Sequence, residues 1–239
     1  MTFPASPVSI LNSSTTPSDD TTSQNSKTQG SPANLKKKSK SPPRAWQRML
    51  SGRRLDLLNP SPLDIEIEDI AHGLARVARW NGQTQGDHAF SVAQHSVIVE
   101  AICEALNPDM PIEEKITALL HDAPEYVIGD MISPFKAILG DSYKDVETRL
   151  EHAIHMRFGL TAAIPKRLKK AIKKADLICA YFEAIHLAGF DKAEAKRLFV
   201  EPPTGLIADV TPLAIPLAQK LFLDRFHTLL HELDQKNGK

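Results

Sequence analysis

The sequence predicts an all-α domain preceded by a disordered N-terminal tail. Apolar residues recur three and four positions apart in successive segments, which is the period of an amphipathic helix. No segment of convincing length shows the alternation of a half-buried strand, and the sequence contains no internal repeat and no glycine-rich phosphate loop. Apolar residues make up 42% of the chain, which is enough to build a hydrophobic core.

The predicted tail covers residues 1 to 44, and the folded domain covers residues 45 to 239. The tail is rich in Ser, Thr, Pro, Asn and Gln, a composition that buries too little apolar surface to offset the chain entropy lost on folding. It ends in a basic cluster, KKKSK at residues 36 to 40. This cluster could contact an acidic surface or nucleic acid, but a solvated tail is the favoured interpretation.

Charge and cysteine usage indicate a cytoplasmic protein. The 29 basic and 29 acidic residues balance, so net charge gives no argument for a nucleic-acid or membrane partner. No apolar run is long enough to span a bilayer, and the N-terminus lacks the charged lead and apolar core of a secretory signal. Cys103 and Cys179 both fall inside apolar helical patterns, which predicts buried thiols rather than a disulfide.

The first core helix is predicted to begin after Asp64 and to end near Arg79 and Trp80. Its apolar residues recur at helical spacing, and its early acids and late arginines suit the helix dipole. A polar loop over residues 81 to 88 follows. Upstream of this helix, residues 45 to 58 are expected to form a short helix or an irregular lead-in.

The next two predicted helices carry candidate site residues. One covers residues 91 to 106 and places His95 on the same face as the apolar residues. The other begins at Pro111, a favourable first helical position, and presents His121 and Asp122 at its end. A histidine on an apolar face is most often a satisfied core residue, so His95 by itself indicates little.

The rest of the domain is predicted to be helical as well. Residues 125 to 136 suggest a short helical turn and then a loop around Asp130. Longer helices are expected over residues 142 to 158, 165 to 187 and 212 to 233. Asp176 borders the buried stripe of the second of these, where a carboxylate is costly unless it is paired or bound to a metal.

Four residues of metal-ligand type come from three of these helices: His95, His121, Asp122 and Asp176. Two imidazoles and two carboxylates form a mixed nitrogen and oxygen site. Such a site is typical of Mn, Co, Fe or Mg rather than of zinc held by thiolates. Glu125 follows Asp122 by three residues, so its carboxylate could reach a water on the metal.

The order of these residues resembles the HD-domain superfamily of metal-dependent phosphohydrolases, and in particular the bacterial 5'-deoxynucleotidase family of the YfbR type. The matching pieces lie between residues 64 and 190: Arg79-Trp80, Gln94-His95-Ser96, HDAPE at 121 to 125, Gly129-Asp130, PFK at 134 to 136, KAD at 174 to 176 and CAY at 179 to 181. The resemblance implies a compact helical HD-domain bundle. It also implies removal of the 5'-phosphate from (deoxy)nucleoside monophosphates by a metal-activated water.

The resemblance further implies a role for each site residue. The metal would be held by His95, His121, Asp122 and Asp176. Glu125 would orient or deprotonate the attacking water, and Asp130 would support the site near the phosphate. Arg79 would contact the phosphate, and Trp80 would crowd the sugar 2' position and favour deoxyribose. Lys136 is a further candidate phosphate contact.

Two other functions remain open at this point. A second HD hydrolase type removes triphosphate from dNTPs, but Lys136 is the only basic residue counted near the site. A nucleotide-sensing HD domain would lack turnover, but it would have no need of a water-activating carboxylate such as Glu125. The expected partner is a small-molecule nucleotide, with no nucleic acid or membrane required. The sequence leaves a homodimer, the native metal and the preferred base open.

Overall fold

The computed structural model describes residues 44 to 132, 135, 136, 138 and 141 to 238. The predicted tail therefore lies outside the described residues, apart from Arg44. Within the described part, helices build the domain, which confirms the all-α prediction. No helix in these ranges is both long enough and apolar enough to cross a membrane.

A small β-hairpin precedes the helices. Strand β1, Trp46–Arg48, pairs antiparallel with β2, Arg54–Asp56. The helix considered for residues 45 to 58 is therefore wrong for this stretch. Gly52 has a φ of +94° in the connecting turn, a conformation that glycine adopts without strain. The centre of β2 is Leu55, which is fully buried against the helical core, so tertiary packing stabilises the short hairpin.

Eight α-helices follow within the described ranges. They are α1 Ile67–Leu74, α2 Val92–Leu106, α3 Ile112–Leu119, α4 Glu125–Ile128, α5 Asp141–Arg157, α6 Lys166–His186, α7 Lys192–Leu198 and α8 Ile215–Asn237. The predicted helices at residues 91 to 106, 142 to 158, 165 to 187 and 212 to 233 correspond to α2, α5, α6 and α8 within a few residues at each end. Helix α7 was not predicted from the sequence.

The first core helix ends earlier than predicted. α1 stops at Leu74, whereas the apolar period suggested a helix reaching residue 79. Beyond it the chain pairs with the segment that leads into α2: the Arg79 N–H donates to the Phe90 carbonyl at 2.8 Å, and the Val92 N–H donates to the Val77 carbonyl at 3.0 Å. These bonds require extended backbone, so a contact that is distant in sequence overrides helical periodicity.

Helix α2 occupies the centre of the domain, where it packs against α3, α6 and α8. One apolar cluster on its flank includes Leu119 and Phe222, and a second includes Val99 and Cys179. Both cysteines are buried free thiols, as predicted. The central position of α2 places its first turn, which carries His95, in the interior of the protein.

Candidate metal centre

The start of α2 is anchored at two points. The Ser91 hydroxyl accepts a hydrogen bond from the Gln94 N–H at 3.3 Å, which caps the helix. The Gln94 side chain donates to the Thr211 carbonyl at 3.0 Å and accepts from the Leu213 N–H at 2.8 Å. These bonds fix the first turn, and His95 lies fully buried on its inward face.

A tight turn after α3 presents His121 and Asp122 side by side. The His121 Nδ1 lies 2.9 Å from the Ala118 carbonyl, so this nitrogen carries the proton. The Glu125 N–H donates to the Asp122 carbonyl at 3.0 Å, which leads the chain directly into α4. Local backbone bonding therefore determines how the two side chains are presented.

The structure brings together all four predicted metal ligands. Asp122 Oδ2 lies 3.2 Å from His121 Nε2 and 3.5 Å from His95 Nε2. Asp176 Oδ1, from α6, lies 3.4 Å from His95 Nε2. Ligand atoms of His95, His121 and Asp122 all fall within 4.8 Å of one another, a separation that one ion can bridge.

The donor atoms fit a divalent cation. Both Nδ1 atoms are engaged, that of His121 by Ala118 and that of His95 by Glu183 Oε1 at 2.6 Å. Both Nε2 atoms are buried without a hydrogen-bond partner in the described chain. Burying such nitrogens unpaired is unfavourable, and a cation would satisfy both. Two imidazoles with two carboxylates are an ordinary ligand set for a divalent transition metal.

The charge state of the two aspartates suits metal binding. Burial opposes ionisation of Asp122, but the neighbouring His121 and His95 outweigh it and hold the pKa of this carboxyl below its usual value. Burial likewise opposes ionisation of Asp176, yet the neighbouring His95, followed by His121, outweighs it and holds the pKa of this carboxyl well below the usual range. Both groups are therefore anionic near neutral pH, as metal ligands must be.

Glu125 opens α4 beside this cluster and is almost fully buried. Its Oε1 lies 3.4 Å from Lys136 Nζ, and its Oε2 has no hydrogen-bond partner among the described residues. Burial, followed by the charges of Asp122 and Asp130, raises the pKa of Glu125 to about 9. A cation on the adjacent ligands would act in the opposite direction and stabilise the carboxylate.

The predicted phosphate contact, Arg79, is held between two carboxylates. Its Nη1 lies 3.2 Å from Asp130 Oδ2, and its Nε lies 3.4 Å from Glu183 Oε2. Burial disfavours the charged guanidinium, but Glu183 and Asp130 outweigh this and raise the pKa of Arg79. Burial raises the pKa of Asp130 as well. The structure thus joins Arg79 and Asp130 in one ion pair, a link that the sequence did not reveal.

Trp80 lies beside Arg79 with its indole edge fixed. The Nε1–H donates to Glu183 Oε2 at 2.7 Å, and the ring packs against Phe190 and Phe199 with centroids 5.6 and 5.8 Å away. Its backbone has a φ of +57°, and that of Asn81 is +50°. The predicted role of Trp80 at the sugar remains a prediction, but the ring is rigidly placed.

Glu183 is the site residue that sequence reasoning missed. It is fully buried on α6, two turns beyond Asp176, in the stripe that also carries Cys179. Burial would raise its pKa, but Arg79 and His95 lower the pKa to about 2. A signal was available, since a glutamate in a predicted buried stripe must find partners. The same argument applies to Asp176.

A cavity of about 490 Å³ opens beside the candidate metal ligands. One wall carries His121, Asp122, Glu125 and Asp176. Elsewhere the lining includes four lysines, Lys144, Lys169, Lys170 and Lys173, together with apolar Pro124, Ile164 and Ile172. Glu147 and Glu151 also line this space, which therefore holds both lysine and glutamate side chains beside the ligand cluster and is large enough for a nucleotide.

Comparison with known proteins adds an independent finding. The family model described as 5'-deoxynucleotidase YfbR-like matches residues 70 to 198. An uncharacterized protein of Rhodobacter capsulatus is 55% identical over 195 residues, which is 80% of this chain and 98% of the relative. The uncharacterized protein YfdR of Escherichia coli is 34% identical over 166 residues, 70% of this chain and 85% of the relative. The family match spans every candidate site residue predicted from the sequence, and Glu183 as well.

Proposed function

Because the chain belongs to the YfbR-like 5'-deoxynucleotidase family of HD-type phosphohydrolases, we propose that it hydrolyses the 5'-phosphate ester of deoxynucleoside monophosphates. The supporting observation is one arrangement. His121, two aspartates and a buried glutamate line a nucleotide-sized cavity, and His95 Nε2 lies directly behind the two aspartates; both Nε2 atoms have no hydrogen-bond partner among the described residues. Such convergence of ligand-type and acid–base groups in one pocket is typical of a hydrolytic metal site.

The proposed cation ligands are His95, His121, Asp122 and Asp176. When bound, a divalent cation supplies charge screening for the phosphate and acidity for a water ligand. The protein contributes a fixed geometry, because both Nδ1 atoms are held and both Nε2 atoms consequently point at the site. Mn, Co, Fe and Mg all remain compatible with this donor set.

Glu125 is the proposed proton acceptor. Its Oε2 has no hydrogen-bond partner in the part of the chain that the structure describes, so it can take a proton from the attacking water. Its Oε1 lies near Lys136 Nζ, which also lies 3.2 Å from Glu147 Oε1. We assign Lys136 a charge-balancing role beside the phosphate.

Arg79 is the proposed phosphate ligand. Asp130 and Glu183 together fix the plane of its guanidinium, and planar paired donors match the oxygens of a phosphate. Next to it, the clamped indole of Trp80 would form a wall beside the sugar. A rigid wall discriminates against an added hydroxyl better than a mobile side chain does, which supports a preference for deoxyribose.

The test is phosphate release from a substrate panel by the full-length protein. The panel comprises dAMP, AMP and dATP, assayed after chelation and after addition of Mn, Co, Mg or Fe. We expect orthophosphate from dAMP with at least one metal, no release after chelation, and slower release from AMP. Absence of orthophosphate from both monophosphates with every metal would contradict the proposal.

A second candidate function, removal of triphosphate from dNTPs, gains one observation from the cavity. Sequence reasoning counted only Lys136 near the site, but Lys144, Lys169, Lys170 and Lys173 also line the space beside the metal ligands. Lys173 is paired with Asp176 at 2.8 Å, and Glu147 and Glu151 line the same space, so Lys144, Lys169 and Lys170 are the lysines that would suit a longer phosphate chain. Chromatography of the products from dATP separates the two candidates: triphosphate indicates the second function, and orthophosphate from dAMP indicates the first.

A further inference from the structure

We infer that Glu183 is a positioning residue that couples the candidate metal site to Arg79, the proposed phosphate ligand. The inference rests on the proposed function for the roles of His95 and Arg79. Glu183 contacts both of these residues from a fully buried position on α6. The two oxygens of its carboxylate serve different sides of the site.

The first oxygen determines which nitrogen of His95 faces the metal. Glu183 Oε1 lies 2.6 Å from His95 Nδ1. A carboxylate oxygen accepts this hydrogen bond, so in the neutral imidazole that ligates a metal the proton resides on Nδ1. The lone pair then lies on Nε2, the atom that faces Asp122 and Asp176. Carboxylates that support metal-bound histidines act in this way.

The second oxygen holds the turn formed by Arg79, Trp80 and Asn81, which carries the proposed phosphate ligand. Glu183 Oε2 accepts from the Trp80 indole N–H at 2.7 Å and lies 3.4 Å from Arg79 Nε. Trp80 and Asn81 both adopt left-handed backbone conformations, which residues other than glycine seldom populate. Such a turn persists only where its surroundings hold it, and Glu183 supplies the buried acceptor.

Four donors thus converge on one carboxylate, since the Cys179 Sγ also lies 3.2 Å from Oε1. Replacement by glutamine would turn one acceptor oxygen into an NH₂ donor. If that NH₂ faced His95, the histidine would carry its proton on Nε2 and lose its metal-binding lone pair. If it faced Trp80 and Arg79, it would oppose two donors. Neither orientation of the amide satisfies both sides.

The chain provides a matched control in Glu100. This residue is also fully buried, and its two oxygens accept from Arg225 Nε and Nη2 at 2.7 Å each. It lies on α2, the same helix as His95. Glu100→Gln therefore removes a buried charge of the same kind from an arginine, without altering the atoms that contact His95.

The experiment compares Glu183→Gln with Glu100→Gln in the full-length protein. Calorimetry measures the binding of Mn²⁺ alone to chelator-treated protein and the binding of inorganic phosphate to Mn²⁺-loaded protein. We expect Glu183→Gln to weaken Mn²⁺ binding by about 10-fold or more, the scale found for residues that orient metal-bound histidines. Phosphate binding should weaken as well, while Glu100→Gln stays within about twofold of the wild type in both titrations, a difference well below one tenfold step in affinity.

Two outcomes would overturn the inference. One is unchanged Mn²⁺ affinity in Glu183→Gln, and the other is an equal loss in both variants, which would indicate a general structural effect. If circular dichroism shows that Glu183→Gln does not fold, Glu183→Asp takes its place. That variant keeps the charge but withdraws it by one methylene, and unchanged affinities there would equally contradict the inference.

Failure of the proposed function can be distinguished from failure of the coupling through Glu183. A wild type that releases no phosphate from any nucleotide, while Glu183→Gln still loses Mn²⁺ affinity, would contradict the function and leave the coupling intact. An active wild type, with a Glu183→Gln variant that retains both affinities, would contradict only the coupling.

Discussion

The two ring nitrogens of His95 lie in different environments, which we call the cavity face, on the Nε2 side, and the supporting face, on the Nδ1 side. Its Nε2 face meets Asp122 and Asp176 and belongs to the cluster that borders the cavity. Its Nδ1 face meets Glu183 and Cys179, both fully buried. One face presents a ligand atom, and the other holds the ring so that the atom is presented in a single orientation.

The difference lies in which polar atoms are satisfied. Toward the cavity, His95 Nε2, His121 Nε2 and Glu125 Oε2 are buried without hydrogen-bond partners in the described chain. On the other face, both oxygens of Glu183 accept hydrogen bonds. Buried polar atoms occur on both faces, so burial alone does not identify the site. Partnerless polar atoms indicate where a ligand would bind, and a satisfied network indicates what supports it.

The largest effect is expected from Asp122→Ala, which alters the cavity face. Asp122 contacts both histidines, so its loss should abolish bound divalent metal and activity while helix content is largely retained. Elemental analysis and circular dichroism measure the two quantities. Asp109→Ala, at an exposed position between α2 and α3, is the control and should retain metal. Unchanged metal content in Asp122→Ala would show that the ligand assignment is wrong.

The next largest effect is expected from Glu125→Ala on the same face. Metal and substrate should still bind, but turnover should fall by about 10² or more, the usual scale for a general base. Glu147→Ala is a matched control because Glu147 shares the Lys136 contact. Steady-state kinetics should show a much smaller loss in the control. Near-normal turnover in Glu125→Ala would exclude this residue from the mechanism.

A moderate effect is expected from Trp80→Ala on the supporting face. Removing the indole wall should admit a 2'-hydroxyl and lower the ratio of kcat/KM for dAMP to that for AMP. A change of about 1.4 kcal/mol in discrimination would appear as a tenfold change in this ratio. Trp46→Ala, in the hairpin, controls for loss of a tryptophan and should leave the ratio unchanged. A wild type indifferent to the sugar would contradict the role assigned to Trp80.

The smallest effect is expected from deleting residues 1 to 44, which the sequence predicts to be a disordered tail. Their composition predicts no packed structure. Catalysis and the thermal midpoint should therefore remain nearly unchanged, as measured by kinetics and calorimetry on the truncated and full-length proteins. A large drop in either quantity would mean that this segment packs on the domain.

Local patterns predicted much of the fold because the forces behind them act over short stretches of chain. Apolar spacing located α2 and α6, and Pro111 located the start of α3. The hairpin was missed because its strands are only three residues long, too short for an alternating pattern to stand out. The end of α1 was missed because the bonds between residues 77 to 79 and 90 to 92 are not visible in either segment alone.

The sequence by itself determined the candidate metal ligands, since their order along the chain carries the resemblance. It did not determine what surrounds them. Glu183 contacts Arg79 and His95 across 104 and 88 positions of sequence, and the four cavity lysines come from two helices. Only tertiary packing decided these partners, because the cost of burying a carboxylate or an imidazole is offset by groups that folding brings from distant parts of the chain.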